Sequence, residues 1–138
     1  MRKLAVALVI LLVASASYGA KNKAKVKEKR FEPVVKSAAD YAGSYRGPDA
    51  SYGLILESSN GKLHGNYVEM GRVAVLSPIE VDGAEFKAMA SFDDGSSRTI
   101  TGSFANRILN GKTAFGARLY DVPVEGLGIV DPFFEKLE

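Results

Sequence analysis

The chain has 138 residues and a formal net charge of +2; 46% of it is apolar, and it has no cysteine and no tryptophan. Without cysteine there is no disulfide framework, no thiol nucleophile and no thiolate metal site, so a packed core alone has to hold the fold. A single domain of roughly a hundred residues buries about 60 to 70% of its unfolded surface, which is enough, and one domain is the expected count.

Residues 1–20 have the layout of a secretory signal peptide: Arg2 and Lys3 form a charged start, residues 4–13 an apolar run, and Ala14, Ser15 and Ala16 a small-residue cleavage zone. An apolar run of ten residues is too short to cross a bilayer as a helix. Cleavage is expected between Ala16 and Ala20, and the destination is predicted to be secreted or periplasmic.

Residues 21–39 follow as a basic arm, in which Lys21, Lys23, Lys25, Lys27, Lys29, Arg30 and Lys36 face only Glu28 and Glu32. Seven basic minus two acidic residues give +5 for this arm; from Ser37 onward nine basic and fourteen acidic residues give −5. Such a composition predicts disorder. It also suits an electrostatic tether, through Lys21, Lys23, Lys25, Lys27, Lys29 and Arg30, to an anionic envelope surface such as lipid head groups or wall polymer, at about 1 kcal/mol per basic residue. No aromatic residue interrupts residues 21–30, so there is no stacking platform for nucleic acid, which is not expected as a partner.

From residue 40 to 138 the chain reads as hairpins. Asn60-Gly61, Asp82-Gly83, Asp94-Gly95 and Asn110-Gly111 are the strongest short-range hairpin signals. Gly47-Pro48-Asp49-Ala50 adds a turn with proline at its second position, and Met70-Gly71 marks a weaker break. Between these points apolar residues recur with period two. One phase holds Tyr41, Gly43 and Tyr45; Tyr52, Leu54 and Leu56; Leu63, Gly65 and Tyr67; Val73, Val75 and Ile79. It continues through Phe86, Ala88, Ala90 and Phe92; Ile100, Gly102 and Phe104; Phe115, Ala117 and Leu119.

A sheet with one greasy face and no amphipathic helix to cover it has to curl on itself. The predicted fold is all-β: a small antiparallel up-and-down β-barrel, or a strongly curled half-barrel, of about seven to eight strands. The tail DPFFEKLE reads as a short C-terminal helix, with Asp131 as N-cap and Pro132 at its first position, used as a plug or lid.

Few residues point to chemistry. His64 is the only histidine and stands in NGKLHGNYVE; with Asn60-Gly61 as a turn it takes the outward phase of a hairpin limb, not a catalytic loop. One histidine cannot by itself build a zinc site. Asp93-Asp94-Gly95-Ser96 resembles the start of a calcium loop but lacks the later ligands and closing glutamate. No G-x-S-x-G elbow, P-loop, G-x-G-x-x-G or H-E-x-x-H motif occurs. No cofactor or metal is implied.

The tyrosines carry the sharper expectation. Tyr41, Tyr45, Tyr52 and Tyr67 share the inward phase, and Glu69 continues the phase of Tyr67. Buried hydroxyls need partners, and small residues at Ala88, Ala90, Gly102 and Ala117 leave room opposite them. A ligand cavity lined by Tyr41, Tyr45, Tyr52, Tyr67 and Glu69, with Phe133 or Phe134 near one end, is therefore predicted.

Residues 42–69, AGSYRGPDASYGLILESSNGKLHGNYVE, also resemble the opening of avidin- and lipocalin-type, calycin-like meander barrels. Those barrels share a Gly-x-aromatic first strand, a short turn, an apolar second strand and a Gly-x-Tyr third strand, in which Tyr67 would match the tyrosine. The resemblance implies barrel topology; the tryptophans that wall an avidin-type biotin pocket have no counterpart here. The function expected from all of this is a non-catalytic binding module for a small amphipathic ligand or an envelope surface. A structural or inhibitory protein-interaction module is the alternative, and a Tyr/Glu acid–base enzyme the third class.

Overall fold

The computed structural model describes residues 29–137. The signal-peptide segment and Lys21, Lys23, Lys25 and Lys27 lie outside the described residues. Eleven strands and one short helix follow in order: β1 (Lys29–Pro33), α1 (Ala38–Tyr41), β2 (Gly43–Arg46), β3 (Gly53–Ser59), β4 (Lys62–Glu69), β5 (Arg72–Asp82), β6 (Glu85–Phe92), β7 (Ser97–Leu109), β8 (Lys112–Leu119), β9 (Val122–Val124), β10 (Gly128–Val130) and β11 (Phe133–Lys136).

Strands β2 to β8 each pair antiparallel with the next, and β11 pairs with both β8 and β2. Eight strands therefore close into a barrel in which neighbours in space are neighbours along the chain, apart from the β9–β10 hairpin inserted between β8 and β11. The tight turns explain the register. Asn60 and Gly61 lie at φ 54° and 75°, and Asn110 and Gly111 at 53° and 79°; positive φ at both central residues matches the twist of the flanking strands. The turn between β5 and β6 sits one residue later than Asp82-Gly83, since Asp82 pairs with Glu85 and leaves Gly83 and Ala84 at its centre.

Three expectations are corrected. First, no helix forms at the C-terminus: Phe133–Lys136 is β11, the strand that closes the barrel. A helix of about two turns would have left the facing edges of β2 and β8 with unpaired backbone groups. The strand satisfies both edges and buries Phe134 completely.

Second, the inward phase of β5 is reversed at its start. Ala74 and Leu76 are buried, while Val73 and Val75 are exposed. Pairing to β6 jumps from Leu76–Ala90 to Glu80–Lys87, so β5 carries one extra residue, and Ile79 regains the inward face beyond Ser77 and Pro78. Proline lacks the N–H that a regular ladder needs and is confined to such bulges or to edges.

Third, the described part of the basic arm, expected to be disordered, holds a strand, Lys29–Pro33, and the start of a helix at Ala38. β7 outruns β6, whose first residue, Glu85, lies opposite Ser103, and β1 covers the remaining edge, with Phe31 opposite Arg107 and Pro33 opposite Ala105. The chain then turns into α1, capped by the Ser37 side chain, which accepts from the Asp40 N–H.

The core is one cluster filling the barrel. At one end Tyr41 of α1 lies flat on Phe104, ring centroids 3.7 Å apart, and Phe86 leans on the same ring at 4.7 Å. At the other end Val122 and Val124 of the β9–β10 hairpin are buried, and the Tyr52 hydroxyl donates to the Pro123 carbonyl at 3.0 Å.

Candidate functional site

Tyr41, Tyr45, Tyr52 and Tyr67 all point inward and are buried, and Glu69 is buried with them. Each hydroxyl, however, already has a partner within the protein. Tyr41 donates to the Val34 carbonyl at 3.0 Å and accepts from the Lys36 N–H at 2.8 Å. Tyr45 donates to the Tyr41 carbonyl. Tyr52 donates to Pro123 and accepts from the Glu125 N–H at 3.2 Å. Tyr67 donates to Glu69 Oε1 at 2.8 Å. Burial pushes the Tyr45 and Tyr67 hydroxyls well above the ordinary range, and the hydrogen bond to Glu69 pushes Tyr67 further.

The predicted cavity is replaced by packing. Tyr67 meets Phe92 and Phe134 with ring centroids 6.4 and 6.2 Å away. A Cβ on Gly102 would lie 2.6 Å from Phe86, so the space that the small residues open is taken by phenylalanines from other strands. Tyr41 borders a cleft of about 250 Å³ at the α1 end of the barrel, beside Leu63 and Ile79, whereas Tyr45, Tyr52, Tyr67 and Glu69 line neither it nor the clefts of the outer wall.

Glu69 is the centre of a charged network. Arg98 grips it with both terminal nitrogens, Nη1 to Oε2 at 2.8 Å and Nη2 to Oε1, and Arg72 approaches at 3.7 Å. Arg72 continues to Asp94 at 2.8 Å and lies 4.4 Å over the Phe92 ring. Burial raises the Glu69 carboxyl, but the hydrogen bonds from Arg98 and Tyr67 and the charges of Arg98 and Arg72 outweigh it, leaving the group below the usual carboxylate range. A carboxylate held ionised and fully bonded is a poor proton donor or acceptor, so this arrangement weighs against acid–base chemistry by Tyr67 and Glu69.

His64 stands on β4 opposite Glu57, 3.7 Å from its carboxylate and half-buried. Asp94 accepts from both the N–H and the hydroxyl of Ser96, at 2.9 and 2.6 Å, which makes the DDGS stretch a side-chain-stabilised turn.

A second constellation lies outside the barrel wall, on β1, β7, β8 and β11. Phe31 pairs across strands with Arg107, and Phe133 with Arg118. The stacking is crossed: Arg118 lies 4.3 Å over Phe31, Arg107 lies 4.8 Å over Phe133, and the two phenyl rings are 5.6 Å apart. Arg107 reaches Glu135 at 3.3 Å. The Nε atoms of Arg107 and Arg118 are buried without a hydrogen-bond partner, and among the described residues Arg118 has no ion pair. Lys29 borders the same cleft, of about 340 Å³, and Lys112 an adjoining one. Arg107, Arg118 and Phe31 escape the sequence reading, and Phe133, expected at one end of the cavity, stands instead on the outer wall, because β1 and β11 reach the β7–β8 hairpin from opposite ends of the described chain; the only local signal is arginine on the outward phase of two strands. Compared with known proteins, the chain matches no family model, no curated protein and no solved structure.

Proposed function

We propose that the protein is an exported, non-catalytic β-barrel module that binds an anionic envelope surface through its outer wall. The observation that carries this reading is the position of β1. It pairs Lys29 and Arg30 of the basic arm with the end of β7 and sets Lys29 on the face that carries Arg107, with Lys112 and Arg118 on the next strand. Lys29, Arg107, Lys112 and Arg118 give this wall basic residues on a body whose residues from Ser37 onward sum to −5, an asymmetry that orients the molecule toward a negative surface. The filled interior supports a surface reading over an enclosed ligand.

The test is cosedimentation of the chain from residue 21 with vesicles rich in phosphatidylglycerol, against vesicles of phosphatidylcholine alone. Binding to the anionic vesicles only, weakened by salt and reduced at least tenfold when Lys21, Lys23, Lys25, Lys27, Lys29 and Arg30 are changed to Gln, is the expected result. Equal binding to both vesicles, or an unaffected variant, overturns it.

A second reading, a protein-interaction module, is favoured by an apolar strip on the opposite wall. Ile55, Val73 and Val75 are exposed on β3 and β5 with Asn66 between Ile55 and Val75 in the same row. Retained vesicle binding in the Gln variant together with capture of a defined protein partner, lost in Val75→Glu, would favour it.

A further inference from the structure

We infer that the cleft between the outer wall at Arg107 and Arg118 and the β9–β10 hairpin binds a small amphiphile by its oxyanion head. The head would be a carboxylate or a phosphate, Arg118 its main anchor, and a single apolar tail would lie along the hairpin.

Arg118 is the starting point. A guanidinium is always charged, and its planar fork matches the oxygens of a carboxylate or phosphate. Arg118 lines the cleft, and among the described residues no ion pair answers its charge. Arg107 beside it is only partly answered by Glu135 at 3.3 Å. Their Nε atoms are buried, so it is the rest of each fork that a ligand in the cleft would meet.

The site is also held in shape. Each guanidinium has a face fixed on a phenyl ring, Arg118 on Phe31 and Arg107 on Phe133, so its donor-bearing edge remains for a ligand. The rings in turn hold each other, and all four side chains stand on strands of the barrel wall or of its β1 extension. Little side-chain freedom is left to lose on binding, which favours affinity.

Charge and shape set the ligand class. Lys29, Arg107 and Arg118 line the cleft against Asp131, whose Oδ1 is already taken by the Asp121 N–H at 2.8 Å. The rest of the lining is mostly apolar: Leu109 stands on β7 beside Arg107, Val124, Leu127 and Val130 form the hairpin wall, and Leu127 at the hairpin tip is 67% exposed. A volume of about 340 Å³ lies at the small end of ligand sites. It suits one short chain with a charged end and not a folded partner.

The experiment is titration of the chain from residue 21 with octanoate and octyl phosphate below their micellar range, followed by calorimetry and by amide chemical shifts. Octanol and acetate serve as the tail-only and head-only controls. Both anionic amphiphiles are expected to bind at least tenfold more tightly than either control, with shifts centred on Arg118 and the β9–β10 hairpin. Arg118→Gln should lower affinity at least tenfold. Leu127→Asp, at an exposed tip that carries no core packing, should do the same and keeps the test decisive if the first variant misfolds.

Lys21, Lys23, Lys25 and Lys27 changed together to Gln should leave octanoate binding unchanged, so failure of the surface reading and failure of this one are separable. Vesicles of dioleoyl phosphatidylglycerol that fail to compete with octanoate identify the free amphiphile as the source; vesicles that displace it identify the membrane lipid. Octanol binding as tightly as octanoate, no binding by either anion, or full affinity in both variants overturns the inference.

Discussion

Replacing Arg98 with methionine tests the reading of Glu69 as a closed structural network. The substitution keeps an unbranched apolar stem but removes the guanidinium, whose carbon lies 6.0 Å over Phe92 and whose two terminal nitrogens hold a carboxylate that is 0% exposed. What remains is the Tyr67 hydroxyl at 2.8 Å and Arg72 at 3.7 Å. Breaking a buried pair from one side typically costs about 3 to 5 kcal/mol. Arg98 is itself 35% exposed and Arg72 stays as a second cation, so solvent screening brings the expected loss at pH 7 to about 2 to 3 kcal/mol.

The pH dependence follows from the direction of the shift. In the native protein burial raises the carboxyl, yet its partners leave it below its ordinary value. The stabilisation is therefore present above the unfolded value, about 4.3, and is lost only as pH falls through the lower folded value. In Arg98→Met burial dominates, the carboxyl rises, and the penalty is full at neutral pH but relieved once acid protonates the group. The difference between the two proteins should thus be largest at pH 7 and shrink toward pH 4. In urea unfolding monitored by circular dichroism, the midpoint should fall by about 1 to 2 M at pH 7. Adding Glu69→Gln, whose amide oxygen still accepts from Tyr67, should recover about half of the loss. A loss under about 1 kcal/mol at pH 7, or one that does not change between pH 7 and pH 4, refutes the reasoning.

The remaining predictions concern packing, turns and the histidine. Gly65→Ala would place a Cβ 1.9 Å from the Ile55 carbonyl oxygen, so β3 and β4 must separate; a loss of at least about 3 kcal/mol or insoluble expression is expected, read by soluble yield and thermal unfolding. Gly61→Val and Gly111→Val meet nothing within 4 Å but sit at φ 75° and 79°, so each should cost about 1 to 2 kcal/mol of backbone strain alone, measured by urea unfolding. His64→Ala should change stability by no more than about 0.5 kcal/mol and leave vesicle binding intact, because its one ionic contact is exposed.

Local chemistry made the hairpins legible. Asn-Gly at 60–61 and 110–111 permits two residues of positive φ, and that preference is carried by the dipeptide itself. Tyr45 and Tyr67 were legible for a similar reason, since period two survives in β2 and β4, but Tyr41 reaches the core from α1 and Tyr52 from the turn before β3, not from the strand phase expected of them. Where the reading failed, distant residues decided. Pro78 hinted at a bulge, but only the pairing of β5 with β4 and β6 shows that Ala74 and Leu76, not Val73 and Val75, face the core. Asp131 and Pro132 are a true helix-start signal, outweighed by two open strand edges that exist only once the other seven barrel strands have formed. The expected cavity failed in the same way: the residue counted as a helix at its rim, Phe134, enters the barrel as part of its last stave. Arg118 and Phe31 are 87 positions apart, and no local pattern links them.

Closure by β11 has a consequence for the order of events during synthesis. The first stave, β2, waits for a partner that is made last, so any nascent chain that stops short of Phe133 has two raw sheet margins and a gap in its wall. Hairpins β3 to β8 can zip one after another as they emerge, each contact being local and fast, but the ring itself is sealed by the most distant pairing in the molecule. Until then the two margins are open templates for another chain. A protein built this way gains from being kept apart from its copies until synthesis is complete, and its vulnerable interval ends in a single step when the last four-residue strand slides between β2 and β8.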